Sequence, residues 1–256
     1  MQSNFFLFAL FLTVILSCKT SSHDLKIYGG TKVEKDKWPS AVALTSKKGI
    51  FCTGTIVHPT LIITAGHCLS RIKSPDEIKI YLGEGEEGRE NVHGQYEVKS
   101  FKISPDYGWS FGAWNDMAYV ISKESLPIEE NEIPEILVDE EEQKQIIRLH
   151  KEVHIVGYGK REGGKIGIKY EAIAPIVAYD RKEVDIGGEG KDSCTGDSGG
   201  PAYGQLENGQ WRVFGIVSKG SLCGWGGTWA RMSAQICWLL KDSGYKLKVN
   251  ESLECS

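Results

Sequence analysis

Apolar residues in this chain come in short runs separated by turn-forming residues. A first set comprises Ala41–Leu44, Gly54–Val57, Leu61–Thr64, Ile78–Leu82, Tyr96–Ile103 and Met117–Ile121. A second comprises Val153–Val156, Ile173–Val177, Arg212–Val217 and Thr228–Met232. Their β-branched and aromatic content, with Gly and Pro between them, predicts strands rather than helices. Between the sets, Pro127–Glu142 is rich in Glu and predicts a solvated connection between two β units. After the last run the period changes. Ser233 is a candidate helix cap, and Ile236, Leu239 and Leu240 recur at helical spacing.

The beginning of the chain reads differently. Phe5–Leu16 is apolar but too short to span a bilayer, and it suits the core of a signal peptide. Ile15-Leu16-Ser17-Cys18 loosely resembles a bacterial lipobox, in which Cys18 would carry a lipid. An ordinary signal peptide cut near Ser17, over residues 1–18, and a lipoprotein signal both stay open. Residues 19–26 are small and polar, and read as a leader.

Composition narrows the picture. A chain of 256 residues can bury a sizeable core without a metal or a dense disulfide framework. With 41% hydrophobic and 25% charged residues it is ordinary globular material, not a disordered chain. A net charge of -4 gives no basic footprint for nucleic acid. Setting Cys18 aside leaves Cys52, Cys68, Cys194, Cys223, Cys237 and Cys255, an even set that suggests three disulfides in an exported chain. Cys237, in the expected helix, and Cys255, in the tail, are candidates to pair. No Cys-x-x-Cys supports a zinc or thioredoxin-like reading.

The chemistry centres on Lys191-Asp192-Ser193-Cys194-Thr195-Gly196-Asp197-Ser198-Gly199-Gly200-Pro201. A serine hydroxyl is a weak nucleophile unless a base, an orienting group and oxyanion donors surround it. Glycines beside Ser198 leave room for backbone N–H groups and a sharp turn. Gly-x-Ser-x-Gly also occurs in α/β-hydrolases, but there the catalytic His follows the Ser. None of the histidines here lies beyond Ser198, so that reading fails. The base must come from upstream. His67, in Thr64-Ala65-Gly66-His67-Cys68 after an apolar run, is the candidate, and the other histidines read as surface or filler residues. Asp116 opens the run Met117–Ile121 and is the candidate orienting carboxylate.

The order His67, Asp116, Ser198, with Thr-Ala-Gly-His-Cys and Gly-Asp-Ser-Gly-Gly-Pro, resembles the chymotrypsin–trypsin family of serine proteases. The likeness extends from Ile27 to about Leu240, through Trp38-Pro39-Ser40-Ala41-Val42, His154–Gly159 and Val217–Gly220, the last resembling the family's substrate-pairing segment. It implies an all-β fold of two packed six-stranded antiparallel Greek-key barrels with a C-terminal helix. The peptidase domain would be 27–246, with barrels near 27–126 and 147–232 and a tail at 247–256. It implies the disulfides Cys52–Cys68 and Cys194–Cys223. In the implied roles Ser198 attacks, His67 transfers the proton, Asp116 orients His67, and the N–H groups of Gly196 and Ser198 hold the oxyanion. Ile27-Tyr28-Gly29-Gly30 resembles the family's mature N-terminus, so cleavage after Lys26 would free Ile27 to pair with Asp197. Asp192, with Ser193, Gly220 and Gly227, would form a primary pocket for Lys or Arg.

Several features depart from that pattern. Lys219 stands where the family usually has Trp, which suggests acidic residues at the neighbouring subsite. The stretches Ile176–Gly190 and Cys223–Gly227 are short. Leu82-Gly83-Glu84 resembles the start of a calcium loop, yet Glu86, Glu87, Glu90 and Glu97 do not keep its spacing. The resemblance therefore requires no cofactor, and Glu84 is the candidate calcium ligand. Implied partners are protein or peptide substrates and protein protease inhibitors, not nucleic acid. A membrane would be met only through a lipid on Cys18, and the chain would act as a monomer. The expected location is extracellular, or periplasmic or lipid-anchored in a bacterium; the sequon Asn250-Glu251-Ser252 is open to glycosylation in a eukaryote and means little in a bacterium. A catalytically silent binding protein on the same fold is the alternative, and a serine esterase shares the chemistry but not the context.

Overall fold

The computed structural model describes residues 27, 29–85, 94–108, 115–161, 164–220, 222–249, 253 and 255. The expected signal peptide and leader, Cys18, Lys26, Tyr28 and the sequon lie outside the described residues. No helix among the described residues is long and apolar enough to cross a membrane.

The first barrel is built from β2 (Ala41–Ser46), β3 (Gly49–His58), β4 (Leu61–Thr64), β5 (Lys79–Tyr81), β6 (Tyr96–Ile103) and β7 (Ala118–Ser122). They close in the order β2-β3-β4-β7-β6-β5, with every pairing antiparallel. In β6 the buried Val98 is flanked by the exposed Glu97 and Lys99, the alternation of a strand with one wet face. In contrast, β2 and β4 are buried almost throughout. β2 also packs against the second barrel, where the Tyr158 hydroxyl donates to the Ala41 carbonyl.

The second barrel comprises β9 (Glu152–Gly157), β10 (Tyr170–Tyr179), β11 (Glu183–Ile186), β12 (Pro201–Gln205), β13 (Trp211–Gly220) and β14 (Gly227–Arg231). They run β10-β11-β14-β13-β12-β9, and the β9–β10 pairing closes the ring. Two short strands attach to it. β1 (Thr31–Lys32) pairs with β10, and β8 (Glu135–Ile136) runs parallel to β13. Closure leaves neither ring with a free edge.

The Glu-rich connection is more structured than expected. Ile133, Ile136 and Leu137 are buried, and β8 belongs to the second sheet. Asp139 caps α2 (Glu140–Ile146) by accepting the Glu141 and Glu142 N–H groups. Acids in a first helical turn are stabilised by the unsatisfied N–H groups there. Glu142 also forms a bidentate pair with Arg212 of β13. The glutamates therefore dock α2 rather than merely solvate a linker.

The C-terminal α3 spans Ile236–Ser243, with Ile236 and Leu239 buried. Ser233 does not cap it, because Met232–Ala234 forms a separate 3-10 turn and Gln235 takes the cap position. Gly244 ends the helix in the left-handed region (φ 73°), where a side chain would be strained. The helix packs in the core cluster of the first barrel, and the Tyr119 hydroxyl donates to Asp242.

Candidate active site

The cleft between the barrels encloses about 800 Å³ and is lined by His67, Ser198, Asp192, Gly196, Ser218 and Tyr107 among others. His67 sits in α1 (Gly66–Leu69), a single turn directly after β4. Its ring is held by Asp116, which is fully buried just before β7. Asp116 Oδ1 accepts the His67 backbone N–H at 2.9 Å, and Oδ2 lies 2.7 Å from His67 Nδ1. A carboxylate oxygen accepts, so Nδ1 carries the hydrogen and the lone pair is left on Nε2. Ser218 Oγ also donates to Asp116 Oδ2 at 2.7 Å. Ser218 was read only as part of a substrate-pairing segment; nothing in its local sequence announces this contact.

Cys52 and Cys68 form a disulfide beside this pair. Cys68 Sγ lies 3.9 Å from His67 Nε2 and 3.6 Å from the Ser198 carbonyl, so the bond lies between the histidine and the serine. The pairs Cys194–Cys223 and Cys237–Cys255 are also bonded. The Cys52, Cys68 and His67 atoms are close enough to suggest a metal cluster, but the disulfide consumes both sulfurs.

Ser198 lies on a tight loop that only glycine allows at two positions. Gly196 has φ +100°, and a Cβ there would fall 2.9 Å from Ile166 Cδ1. Gly199 has φ +81°, and a Cβ there would fall 2.1 Å from Thr64 Oγ1. The loop's carbonyls are turned toward the first barrel. Thr53 N donates to Ser198 O at 2.8 Å, and Thr53 Oγ1 donates to Gly196 O at 2.9 Å. The same Oγ1 accepts from Tyr158 N. Fully buried in β3, Thr53 thereby sets the orientation of the Gly196–Asp197 and Ser198–Gly199 peptides. Among the described residues no protein acceptor takes the Gly196 or Ser198 N–H. Sequence reasoning missed Thr53, since a threonine in a strand looks like ordinary β-propensity.

Two carboxylates sit behind the loop. Asp192 is buried, and burial raises its pKa against the N–H groups of Ser193, Gly226 and Gly224 that pull it down. Ser193 N donates to it at 2.6 Å. A Cβ at Gly227 would fall 3.2 Å from Asp192 Oδ1, whereas Gly220 lines the cleft with no comparably tight contact. Asp197 is equally buried, and desolvation pushes its pKa up to about 7 although Cys194 N and Gly159 N both donate to it. Gly157 and Gly159 form its cradle, where a Cβ would reach within 2.6 Å of the carboxyl group. No cation pairs with Asp197 among the described residues. Ile27 is buried in the core of the second barrel.

The structure revises other expectations. Lys219 Nζ lies 2.7 Å from Glu183 Oε1, so an acidic ligand would compete with that pair. His154 is half-buried against Trp38 and Trp211, with Nδ1 3.1 Å from Glu171, and His58 packs on Tyr245, so neither is a surface filler. Tyr107 lines the cleft close to Gly66, and burial with the Asp116 charge raises its pKa. Around the candidate calcium ligand, Glu84 Oε1 accepts the Asp36 N–H, and Glu97 pairs with Lys123. Glu86, Glu87 and Glu90 lie outside the described residues.

Comparison with known proteins agrees with this fold. Melanization protease 1 from Drosophila melanogaster is 27% identical over 260 residues, covering 84% of this chain and 64% of the relative. The chain thus spans under two thirds of that protein's length. The model of the family described as Trypsin matches residues 27–238, nearly all of both barrels, and the chain belongs to the trypsin family.

Proposed function

We propose that this chain is an exported serine endopeptidase that cuts after Lys or Arg and is made as an inactive precursor. One observation carries the reading: a fully buried carboxylate orients a histidine in the wall of the cleft that is also lined by Ser198 and the buried Asp192. In the cycle, Ser198 Oγ attacks the carbonyl carbon while His67 Nε2 takes its proton. The negative charge on the carbonyl oxygen is met by the N–H groups of Gly196 and Ser198, each such donor contributing about 3 kcal/mol in this kind of site. The C–N bond then breaks, His67 passes its proton to the leaving amine, and the acyl group stays on Ser198. Water, deprotonated by His67, releases the acid. Asp116 keeps the proton on Nδ1 and stabilises the charged ring.

Asp192 selects the residue before the cut bond. A buried carboxylate without a cation is unfavourable, so an apolar side chain in the pocket forfeits what a Lys or Arg supplies. The same argument applies to Asp197. Cleavage between Lys26 and Ile27 would create an ammonium group for it, and pairing would lock the loop that carries the oxyanion donors. Three disulfides suit an oxidising compartment, which fits export. The partners are polypeptide substrates and protein inhibitors, and every step uses groups of one chain.

The test is a panel of short peptides ending in Arg, Lys, Phe or Ala before a reporter, assayed with chain processed to Ile27 and with a Ser198→Ala control. Cleavage after Arg and Lys that vanishes in the control supports the reading. No cleavage at all would favour a silent binding protein. N-terminal sequencing of active material that begins elsewhere than Ile27 sinks the activation step.

A further inference from the structure

Lys219 of β13 is paired directly opposite Thr228 of β14, and Thr228 opposite Asp185 of β11. Opposed residues on antiparallel strands project from the same face, so these side chains form one row across the second barrel. On β10 the register shifts between Ile176 and Ala178, and Val177 within that shift is 48% exposed. Trp225, on the short loop before β14, is 76% exposed. These residues line a groove of about 490 Å³. Lys219 and Gly220 line both this groove and the cleft of Ser198, so the two are continuous along β13.

The charges in the groove are unequal. Lys219 is paired with Glu183, which partly offsets its charge. Asp185 accepts the Thr228 hydroxyl at 2.6 Å and makes no ion pair among the described residues. A carboxylate beside an exposed tryptophan and valine suits a ligand segment with one basic and one large apolar side chain. Continuity with the cleft identifies the occupant. A strand-like substrate advances about 3.3 Å per residue, so the residues beyond those lying along β13 would run into this groove.

We propose that the groove binds the part of a polypeptide substrate well upstream of the cut bond, and that Asp185 and Trp225 select a segment carrying a basic and an aromatic or aliphatic residue. This rests on the protease reading above.

The experiment compares peptides with Arg before the cut bond and two residues upstream against versions extended upstream by four residues. The extensions contain Lys and Phe, Ser and Gly, or Asp and Phe. The readout is the ratio of kcat/KM, extended over short, in the chain processed to Ile27. A ratio of about tenfold for the Lys–Phe extension, arising mainly in KM, is expected from partial burial of one aromatic side chain. The Ser–Gly ratio should stay near one. Trp225→Ala should bring the Lys–Phe ratio toward one, and Asp185→Lys should transfer the advantage to the Asp–Phe extension. That gain in the charge-reversed variant cannot arise from misfolding. Equal ratios for all extensions, or ratios unmoved by both substitutions, overturn the proposal. So does sedimentation showing a dimer that Trp225→Ala dissociates, because the patch would then be covered by a second copy. If the short peptide itself is not cut, the protease reading fails first, and the two failures are distinguishable.

Discussion

The first barrel brings Asp116 to the cleft with its carboxylate engaged by the His67 backbone, the His67 ring and the Ser218 hydroxyl. The second brings Ser198 beside Asp197, equally buried but met only by two backbone N–H groups. The two acids differ in what surrounds them rather than in depth. One is satisfied by the folded chain alone, and its imidazole is fixed as soon as both barrels pack. The other keeps a pKa near 7, far above its ordinary 3.8, because two neutral donors do not offset the loss of water. On the proposed reading His67 is a finished base, and the loop that carries Ser198 awaits a counter-charge at Asp197.

The comparison can be broken at several points. The largest effect is expected at the pocket base. Asp192→Ser should lower kcat/KM for Arg peptides by about 10⁴-fold, as when a site loses the partner its ligand was built to meet. Peptides ending in Phe should be far less affected, and a uniform loss across the panel would point to a damaged fold instead.

Next comes the pH dependence of the uncut chain. The folded Asp197 carboxyl binds its proton up to about pH 7, whereas the unfolded chain releases it near 3.8. Between those values the folded state holds more protons, so stability is full at the acid end and falls as pH rises, by up to about 1.4 kcal/mol per pH unit. Chain processed to Ile27 should lose this slope. Urea unfolding at stepped pH, on Ser198→Ala protein in both forms, measures it; equal slopes would mean that Asp197 finds another partner.

A smaller effect is expected at Thr53, which touches no substrate but holds the loop carbonyls. Thr53→Val should lower kcat about tenfold with little change in KM, the scale of one or two buried hydrogen bonds, and Thr53→Ser should restore most of it. Equal changes in kcat and KM would assign Thr53 to binding or general stability. The smallest effect is expected at the half-exposed Lys219–Glu183 pair, where Lys219→Ala should change unfolding stability by less than about 1 kcal/mol. A strong loss of preference for acidic peptide residues in that variant would show that the pair opens on binding.

Much of this was legible in the chain itself. Leu61–Thr64 and Tyr96–Ile103 are strands with the bounds their apolar patterns predict, because turn-forming residues end each run. The strings around His67 and Ser198, and the absence of any histidine after the serine, directed attention to the residues that now line one cleft. β11 and β12 were not legible. β12 opens on Pro201 and contains Gly204, which disfavour a strand locally, and pairing with β9 and β13 makes it one. Thr53 meets the Ser198 loop across 143 residues of sequence, and Ser218 meets Asp116 across 102. The sequence by itself determined the strand-rich class, the order of the reactive residue types and the glycines that let the loop turn, since these depend on local sterics and chemistry. Only the tertiary structure decided which carboxylate is satisfied, which lacks a counter-charge and which lysine is ion-paired, because burial and pairing are set by residues distant along the chain.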